Sequence, residues 1–297
     1  MSVLHFKKHT EDRPLAGQPR PDRPLHWKLY GCESLATAVL IICGVVSNTL
    51  LLSTHIPLGQ HLASHAVLQT ALCGLCFGLS GGIAAYTRFG KVSGAHLNPS
   101  VSLAFYMYGR LTWIDTLGYI LAQLIGACLG IALLMGAGAL FPFWDRAMAS
   151  VSFAATMPNP DVSLLWPFMS EFGTTFLLVI MIIWLLGHPA LKYFSPWAAG
   201  FFFLFMNPVT AWLSGNSTNL ARSFAPALAS GQWHHFWIYL TAPFIGAICA
   251  MLLIRIDLFG KIHLAEARLV NFGHHGRVPR FSDPEHKSPP PVTQPPG

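Results

Sequence analysis

The chain has 297 residues, of which 53% are hydrophobic and only 10% are charged, with a formal net charge of +6. Because soluble globular proteins carry about 25% charged residues, this composition excludes most soluble enzymes and nucleic-acid-binding proteins. It is the composition of a protein that crosses a membrane several times, so the basic residues are interpreted as signals of membrane topology.

The two ends of the chain differ in composition from its middle. Residues 1–29 are hydrophilic and basic, and they lack the apolar core of a signal peptide. Residues 256–297 end in the sequence SPPPVTQPPG, which cannot bury enough apolar surface to fold on its own. We therefore predict a disordered basic N-terminal tail over 1–29, a membrane domain over 30–255 and a disordered proline-rich C-terminal tail over 256–297.

Apolar segments of two lengths divide the membrane domain. Segments of about 20 residues are long enough to cross the hydrocarbon core as helices. Two others, Asn98–Tyr108 and Asn219–Ser230, are too short, because a ten-residue helix covers only about 15 Å. The sequence predicts an all-α membrane protein with two re-entrant half-helices and six transmembrane helices, at residues 31–53, 65–87, 114–138, 166–187, 194–213 and 234–255.

The basic residues predict how these helices are oriented in the membrane. With six spans both tails lie on one side, and if that side is the cytoplasm, 16 of the 18 Lys and Arg are cytoplasmic, as the positive-inside rule requires. The exceptions are Arg146, which can pair with the adjacent Asp145, and Arg222. We predict an integral, multi-pass protein of a plasma membrane or bacterial inner membrane with both termini cytoplasmic.

The membrane domain is also an internal repeat. Each half, at about 30–138 and 166–255, contains three spans, and this odd number requires the second half to be inverted. Short interrupted segments at corresponding positions of inverted halves are typical of a transport site. Three blocks recur in the same order: Glu33 with Glu171, SGAHLNPSVSLA at 93–104 with SGNSTNLARSFA at 214–225, and Tyr119 with Tyr239.

The sequences SGAHLNP at 93–99 and NLARS at 219–223 resemble the aquaporin, or major intrinsic protein, family. The resemblance covers about residues 30–255. It implies a right-handed bundle of six helices with two half-helices, usually a homotetramer with one pore per subunit. It also implies a passive channel that needs no cofactor or metal, and the sequence contains no nucleophile–base constellation of an enzyme.

The Asn-Pro-Ala motif of the family is altered in both copies. The second copy lacks the proline that presets φ in the first turn of a helix, and we expect a loss of about 1 kcal/mol in preorganisation. Each asparagine can cap its half-helix through its oxygen and donate its NH₂ to a pore water. The alternative is that the two asparagines serve only as N-caps, but the occurrence of the motif in both halves favours a role in the pore. The two motifs are Asn98, Pro99 and Ser100, and Asn219, Leu220 and Ala221.

Arg222 resembles the arginine of the family's outer selectivity filter, although a snorkelling membrane anchor is the alternative. Counting back from Asn219 by the family's spacing identifies Asn207 and Asn216 as two more filter positions. The fourth is Phe77, with Gly78 as the alternative, because the segment before Asn98 is one residue longer than usual in the family. The predicted filter is therefore Phe77, Asn207, Asn216 and Arg222.

The resemblance also assigns roles to the residues around the pore. Glu33 and Glu171 brace the re-entrant loops, or alternatively form the proton-coupling site of an energised transporter. The side chain of His96 is interpreted as a packing group. The backbone carbonyls expected to form an acceptor ladder are those of Gly94, Ala95, His96, Gly215, Asn216 and Ser217.

The residues in and near the predicted filter do not all indicate the same permeating molecule. Ser223 and Ala227 resemble water-selective members, and a phenylalanine at position 77 would narrow the pore. Asn207 replaces the histidine usual in water-selective filters, and Asn216 replaces an aromatic wall of glycerol channels. We predict a water channel whose partners are water, small neutral solutes and membrane lipid, with no nucleic acid. A glycerol facilitator is the alternative, and an energised transporter or structural junction protein is less favoured.

Overall fold

The structure, a computed structural model, describes residues 25–256, 260, 262–264 and 267–270. The described residues form helices, turns and loops without a strand, which confirms the predicted all-α class. Residues 1–24 and most of the predicted C-terminal tail lie outside the described residues. The α-helices in chain order are α1 (Trp27–Leu52), α2 (Pro57–Leu62), α3 (Ala66–Tyr86), α4 (Arg88–Ser93), α5 (Pro99–Met107), α6 (Trp113–Leu140), α7 (Pro142–Ser150), α8 (Leu165–Gly187), α9 (Ser195–Ser214), α10 (Leu220–Ser230) and α11 (Trp237–Arg255).

Five described helices, α1, α3, α6, α8 and α11, are long and apolar enough to cross a membrane. The remaining predicted span forms α9, whose 20 residues reach about 30 Å at about 1.5 Å per residue. Asn207 and Pro208 lower the hydropathy of α9, so α9 is not among the five helices that are apolar enough by this measure. The long helices begin and end within four residues of the predicted bounds.

The helices pack in two equivalent halves. In the first half α1 packs against α3 and α6, in the second α8 packs against α9 and α11, and α3 against α9 joins the halves. Glycines at corresponding positions allow the close crossings. A Cβ on Gly126 of α6 would lie 2.0 Å from the Ser34 carbonyl oxygen of α1, and one on Gly246 of α11 would lie 2.4 Å from the Phe172 carbonyl oxygen of α8. This correspondence is the inverted repeat expected from the sequence.

The bundle has two distinct ends, which we call the tail end and the far end. At the tail end α1 and α6 both begin, and His26 Nδ1 lies 2.7 Å from Asp115 Oδ1. At the far end the loop before α8 meets the end of α9, where the Asn159 amide donates to the Leu213 carbonyl. The N-termini of the half-helices α5 and α10 meet inside the bundle, where Asn98 donates to the Thr218 carbonyl and Asn219 to the Leu97 carbonyl. Arg146 forms no ion pair with its neighbour Asp145 within the described residues, so the expected pairing is wrong.

Residues 262–264 and 267–270 lie across the tail end after α11. Leu264, Ala267, Arg268 and Val270 are each at most 3% exposed. The Leu269 amide donates to the Gly94 carbonyl at 2.9 Å. This part of the predicted disordered tail is therefore packed against the channel, because its sequence contains apolar residues that the proline-rich end lacks.

Candidate functional site

The two half-helices begin at the asparagines predicted from the sequence. Asn98 is the N-cap of α5, and its Oδ1 accepts from the Ser100 amide at 2.8 Å. Asn219 is the N-cap of α10, and its Oδ1 accepts from the amides of Ala221 and Arg222 at 3.0 and 3.2 Å. Each cap satisfies amides that would otherwise have no partner in the first turn. The second half-helix therefore forms without the proline that the family motif carries at position 220.

The asparagines also join the two halves to each other. Asn98 Nδ2 donates to the Thr218 carbonyl at 2.9 Å, and Asn219 Nδ2 donates to the Leu97 carbonyl at 2.8 Å. Since a carboxamide NH₂ has two hydrogens, each asparagine has a second hydrogen for a molecule in the adjoining cavity. Both side chains line that cavity and are 7% exposed.

The loops before the half-helices have an unusual backbone. Residues Ala95, Leu97, Asn216 and Thr218 have positive φ, between 50° and 57°, a region that costs residues with side chains on the order of 1–3 kcal/mol each. Of the predicted carbonyl ladder, His96, Gly215, Asn216 and Ser217 line the cavity. Gly94 and Ala95 are not among the lining residues, and the Gly94 carbonyl is bonded to Leu269.

Two buried glutamates hold these loops. Glu33 Oε1 accepts from the Leu97 amide at 2.5 Å, and Glu171 accepts from the amides of Ser217 and Thr218 at 2.8 and 2.7 Å. These contacts are the ones that a bracing role requires. Neither carboxylate lines the cavity, although a proton-coupling site would need to face it.

His96 lies beneath the first loop with both ring nitrogens satisfied. Nδ1 is 3.1 Å from Ser102 Oγ, and Nε2 is 3.0 Å from the Ala267 carbonyl. The ring lies 4.6 Å, centroid to centroid, from those of Phe105 and Tyr119. This placement agrees with the interpretation of His96 as a packing group.

The four predicted filter residues lie together at the far-end side of the asparagines. The Arg222 guanidinium carbon is 4.3 Å from the ring centroid of Phe77, and Nη1 donates to the Ala154 carbonyl at 2.7 Å. Asn216 Nδ2 donates to Asn207 Oδ1 at 2.7 Å. The predicted filter residues thus comprise a guanidinium and two carboxamides, which are polar, and one apolar aromatic ring.

Phe77 and Gly78 have different surroundings. Phe77 packs on α1, where a Cβ on Gly44 would lie 2.6 Å from the ring. Gly78 faces the backbone of α9, and a Cβ there would lie 2.6 Å from the Ala199 carbonyl oxygen. Phe77 is thus the residue of this pair that contacts Arg222, whereas Gly78 allows α3 and α9 to pack closely.

A single cavity of about 130 Å³ connects these groups. It contains the filter residues at one side, Asn98 and Asn219 in the middle, and Ser195 with Leu269 towards the tail end. Several of its wall residues were not predicted from the sequence, among them Asn48, Cys73 and Leu269. A signal existed for Asn48, because a polar residue inside a transmembrane span is costly and usually faces a cavity.

The sequence of this chain matches a known protein family. The sequence model of the family "Major intrinsic protein" matches residues 22–254. A probable aquaporin, NIP7-1 of Arabidopsis thaliana, is 30% identical over 253 residues, covering 79% of this chain and 83% of that protein. Aquaporin-4 of Mus musculus is 30% identical over 233 residues, covering 75% of this chain and 65% of that protein.

Similar proteins also include glycerol-related members. The glycerol uptake facilitator protein-like 6 of Lactiplantibacillus plantarum is 32% identical over 186 residues, covering 62% of this chain and 83% of that protein. The X-ray structure of the aquaglyceroporin from Plasmodium falciparum matches with a TM-score of 0.62 and 22% identity, covering 76% of this chain and 94% of that chain, and supports the fold. The chain therefore belongs to the major intrinsic protein family of integral membrane channels and is not an enzyme.

Proposed function

We propose that this protein is a passive water channel that excludes protons and ions and conducts small neutral solutes more slowly. The observation that carries this proposal is the reciprocal pair of hydrogen bonds from Asn98 and Asn219, placed beside one cavity that also reaches Arg222. The proposed pore residues are therefore the two altered Asn-Pro-Ala motifs together with the filter of Phe77, Asn207, Asn216 and Arg222.

Proton exclusion follows from the two half-helix N-termini. Each N-terminus carries about half a positive charge, and the two meet near Asn98 and Asn219. A water between the asparagines accepts one hydrogen bond from each NH₂, so both of its lone pairs are occupied. That orientation interrupts a proton wire, and the positive field opposes hydronium and other cations.

We propose that the bracing glutamates act on the pore without entering it. Glu33 and Glu171 accept from loop amides and offset the cost of the positive-φ backbone. The carbonyls of His96 and of Gly215 to Ser217 then face permeating molecules as acceptors. The expected ladder is shorter on the tail-end side, since the Gly94 carbonyl has Leu269 as its partner.

Orientation and assembly are part of the same proposal. We place the tail end in the cytoplasm of a plasma membrane or bacterial inner membrane, because 16 of 18 basic residues then lie inside. The channel domain is 30–255, flanked by the tails 1–29 and 256–297. A homotetramer is expected from the family.

A glycerol facilitator is the second candidate function. The specific observation in its favour is the contact between the Asn207 and Asn216 carboxamides, which gives the filter a polar wall that can bond a hydroxylated solute. The glycerol-related protein of Lactiplantibacillus plantarum is similar to this chain, and its name is consistent with that substrate class.

Paired flux measurements test the proposal. The purified protein in proteoliposomes should accelerate osmotic shrinkage in stopped-flow light scattering, relative to empty liposomes, and a pH-sensitive dye should report no added proton flux. Water permeability equal to that of empty liposomes would contradict the proposed function. A glycerol permeability that exceeds water permeability, each relative to lipid, would instead favour the second candidate.

A further inference from the structure

Asn48 lies on α1 at the level of the filter. It is one turn beyond Gly44, on which the Phe77 ring packs, and it lines the same cavity as Arg222. Asn48 is buried, with only 7% of the residue exposed. α1 therefore contributes a polar group to a site that is otherwise formed by α3, α9, α10 and the loop before α10.

The carboxamide of Asn48 has no protein partner among the described residues. Its Oδ1 is buried without a hydrogen bond, and the same is true of Oδ1 of Asn216. Buried carboxamides in proteins nearly always have partners, and a polar residue in a membrane helix is retained for function more often than for stability. Both residues line one cavity, so a small rotation of either carboxamide would turn an unpaired acceptor towards a ligand that brings donors.

We propose that Asn48 is a further specificity-determining residue, which accepts a hydrogen bond from a hydroxyl of a neutral polyol of glycerol size. A hydroxyl both donates and accepts, so it can donate to Asn48 and accept from Arg222. The Phe77 ring provides the apolar surface for the carbon chain of the polyol. This inference rests on the proposed function, because it requires the cavity to be a conducting pore.

The test compares two variants on the full-length protein. Asn48→Leu removes the acceptor with a side chain of similar size, and it should lower glycerol permeability about fivefold while water permeability changes little, because one hydrogen bond is lost. Asn48→Gln keeps the carboxamide and should restore most glycerol flux. Because Asn48 has no protein partner, Asn48→Leu should not lower the thermal unfolding temperature.

Each outcome separates the two proposals. A wild type that conducts water, with the same glycerol-to-water ratio in Asn48→Leu, overturns the role of Asn48 and leaves the channel function in place. A wild type that conducts water but no glycerol also overturns it. A wild type that conducts neither overturns the proposed function and this inference together.

A different set of contacts carries a second inference, at the tail end of the pore. The amide and carbonyl of Leu269 are bonded to the Gly94 carbonyl at 2.9 Å and the Ser195 hydroxyl at 2.8 Å. The Ala267 carbonyl is bonded to His96. These bonds attach residues 267–270, which we call the strap, to the first re-entrant loop and to the start of α9.

The strap reaches the pore itself. Leu269 and Ser195 both line the cavity, so an apolar residue of the C-terminal segment forms part of its wall. The strap also binds the Gly94 carbonyl of the first re-entrant loop. Hydrophobic constrictions restrict conduction by excluding water.

We infer that the strap is an autoinhibitory contact that restricts the tail-end mouth, and that its release raises conduction. This inference also rests on the proposed function. Ser195→Ala removes one anchoring bond and should raise water permeability per channel by up to about fivefold. Leu269→Ala removes the apolar side chain from the mouth and should raise it as well, and Ser230→Ala at the far end is the matched control.

The water permeabilities of these variants test whether the strap restricts conduction. Unchanged or lower water permeability in both Ser195→Ala and Leu269→Ala, with normal unfolding temperatures, overturns the strap while the wild-type flux still supports the channel. Higher water permeability in both variants than in a conducting wild type, with Ser230→Ala unchanged, supports the strap. If neither the wild type nor the variants conduct water, both the proposed function and the autoinhibitory role of the strap are overturned.

Discussion

Arg222 is the residue to which the proposed filter assigns two functions. Its charge is held in a membrane protein interior, with 7% of the residue exposed. The guanidinium is fixed by the Ala154 carbonyl and the face of Phe77, so its charge and its bulk occupy one defined place. We expect the charge to oppose cations and the bulk to limit solute size.

The first prediction at the residue scale replaces this arginine with valine. At an effective dielectric constant of about 20, a like charge about 4 Å away opposes a passing cation by about 4 kcal/mol. Arg222→Val should therefore raise proton leak by at least about tenfold and should admit larger neutral solutes. Proton flux is measured in proteoliposomes with an entrapped pH-sensitive dye, and solute flux by stopped-flow light scattering.

Arg222→Lys is the matched control because it keeps the charge and loses the forked donor geometry. It should retain most of the proton exclusion while changing solute selectivity. Proton leak and solute permeability in Arg222→Val equal to those of the wild type would show that Arg222 is not the filter arginine.

At the scale of elements, the two half-helices reach the same geometry by different local means. α5 has Pro99 in its first turn and one amide capped by Asn98. α10 has Leu220 instead, and Asn219 caps two amides. The additional capped amide compensates in part for the preset φ that proline would supply, which explains how the altered motif still forms a half-helix.

The helices also show which features of the fold could be predicted from the sequence. Apolar length and repeated motifs were enough to predict the long helices and both half-helices to within a few residues, because hydrocarbon thickness and helix rise determine them. The side-chain neighbours of Asn48 could not be predicted, since they depend on the rotation of α1 against α3. The strap could not be predicted either, because its burial depends on contacts with residues about 70 to 175 positions earlier, such as Ser195 and Gly94.

At the scale of the whole molecule, the two copies of the repeat carry different residues, so the two ends of the cavity are chemically different. At the far end, Asn216 of the loop before α10 and Arg222 of α10 belong to the proposed polar filter, whereas the tail-end loop is covered by the strap. Selection among solutes and control of opening are therefore proposed for opposite ends of one cavity. The orientation of the molecule then decides which side of the membrane each process faces.

The last prediction tests that orientation. Basic residues cluster at the tail end and beyond α11, so the positive-inside rule places both termini in the cytoplasm. A reporter enzyme that is active only in the cytoplasm should be active when fused to either terminus of the full chain. The same reporter inserted between α6 and α8, where only Arg146 contributes a positive charge, should be inactive. Reporter activity at that insertion together with inactive termini would show that the protein has the opposite orientation in the membrane. The filter would then face the cytoplasm and the strap would face the outside.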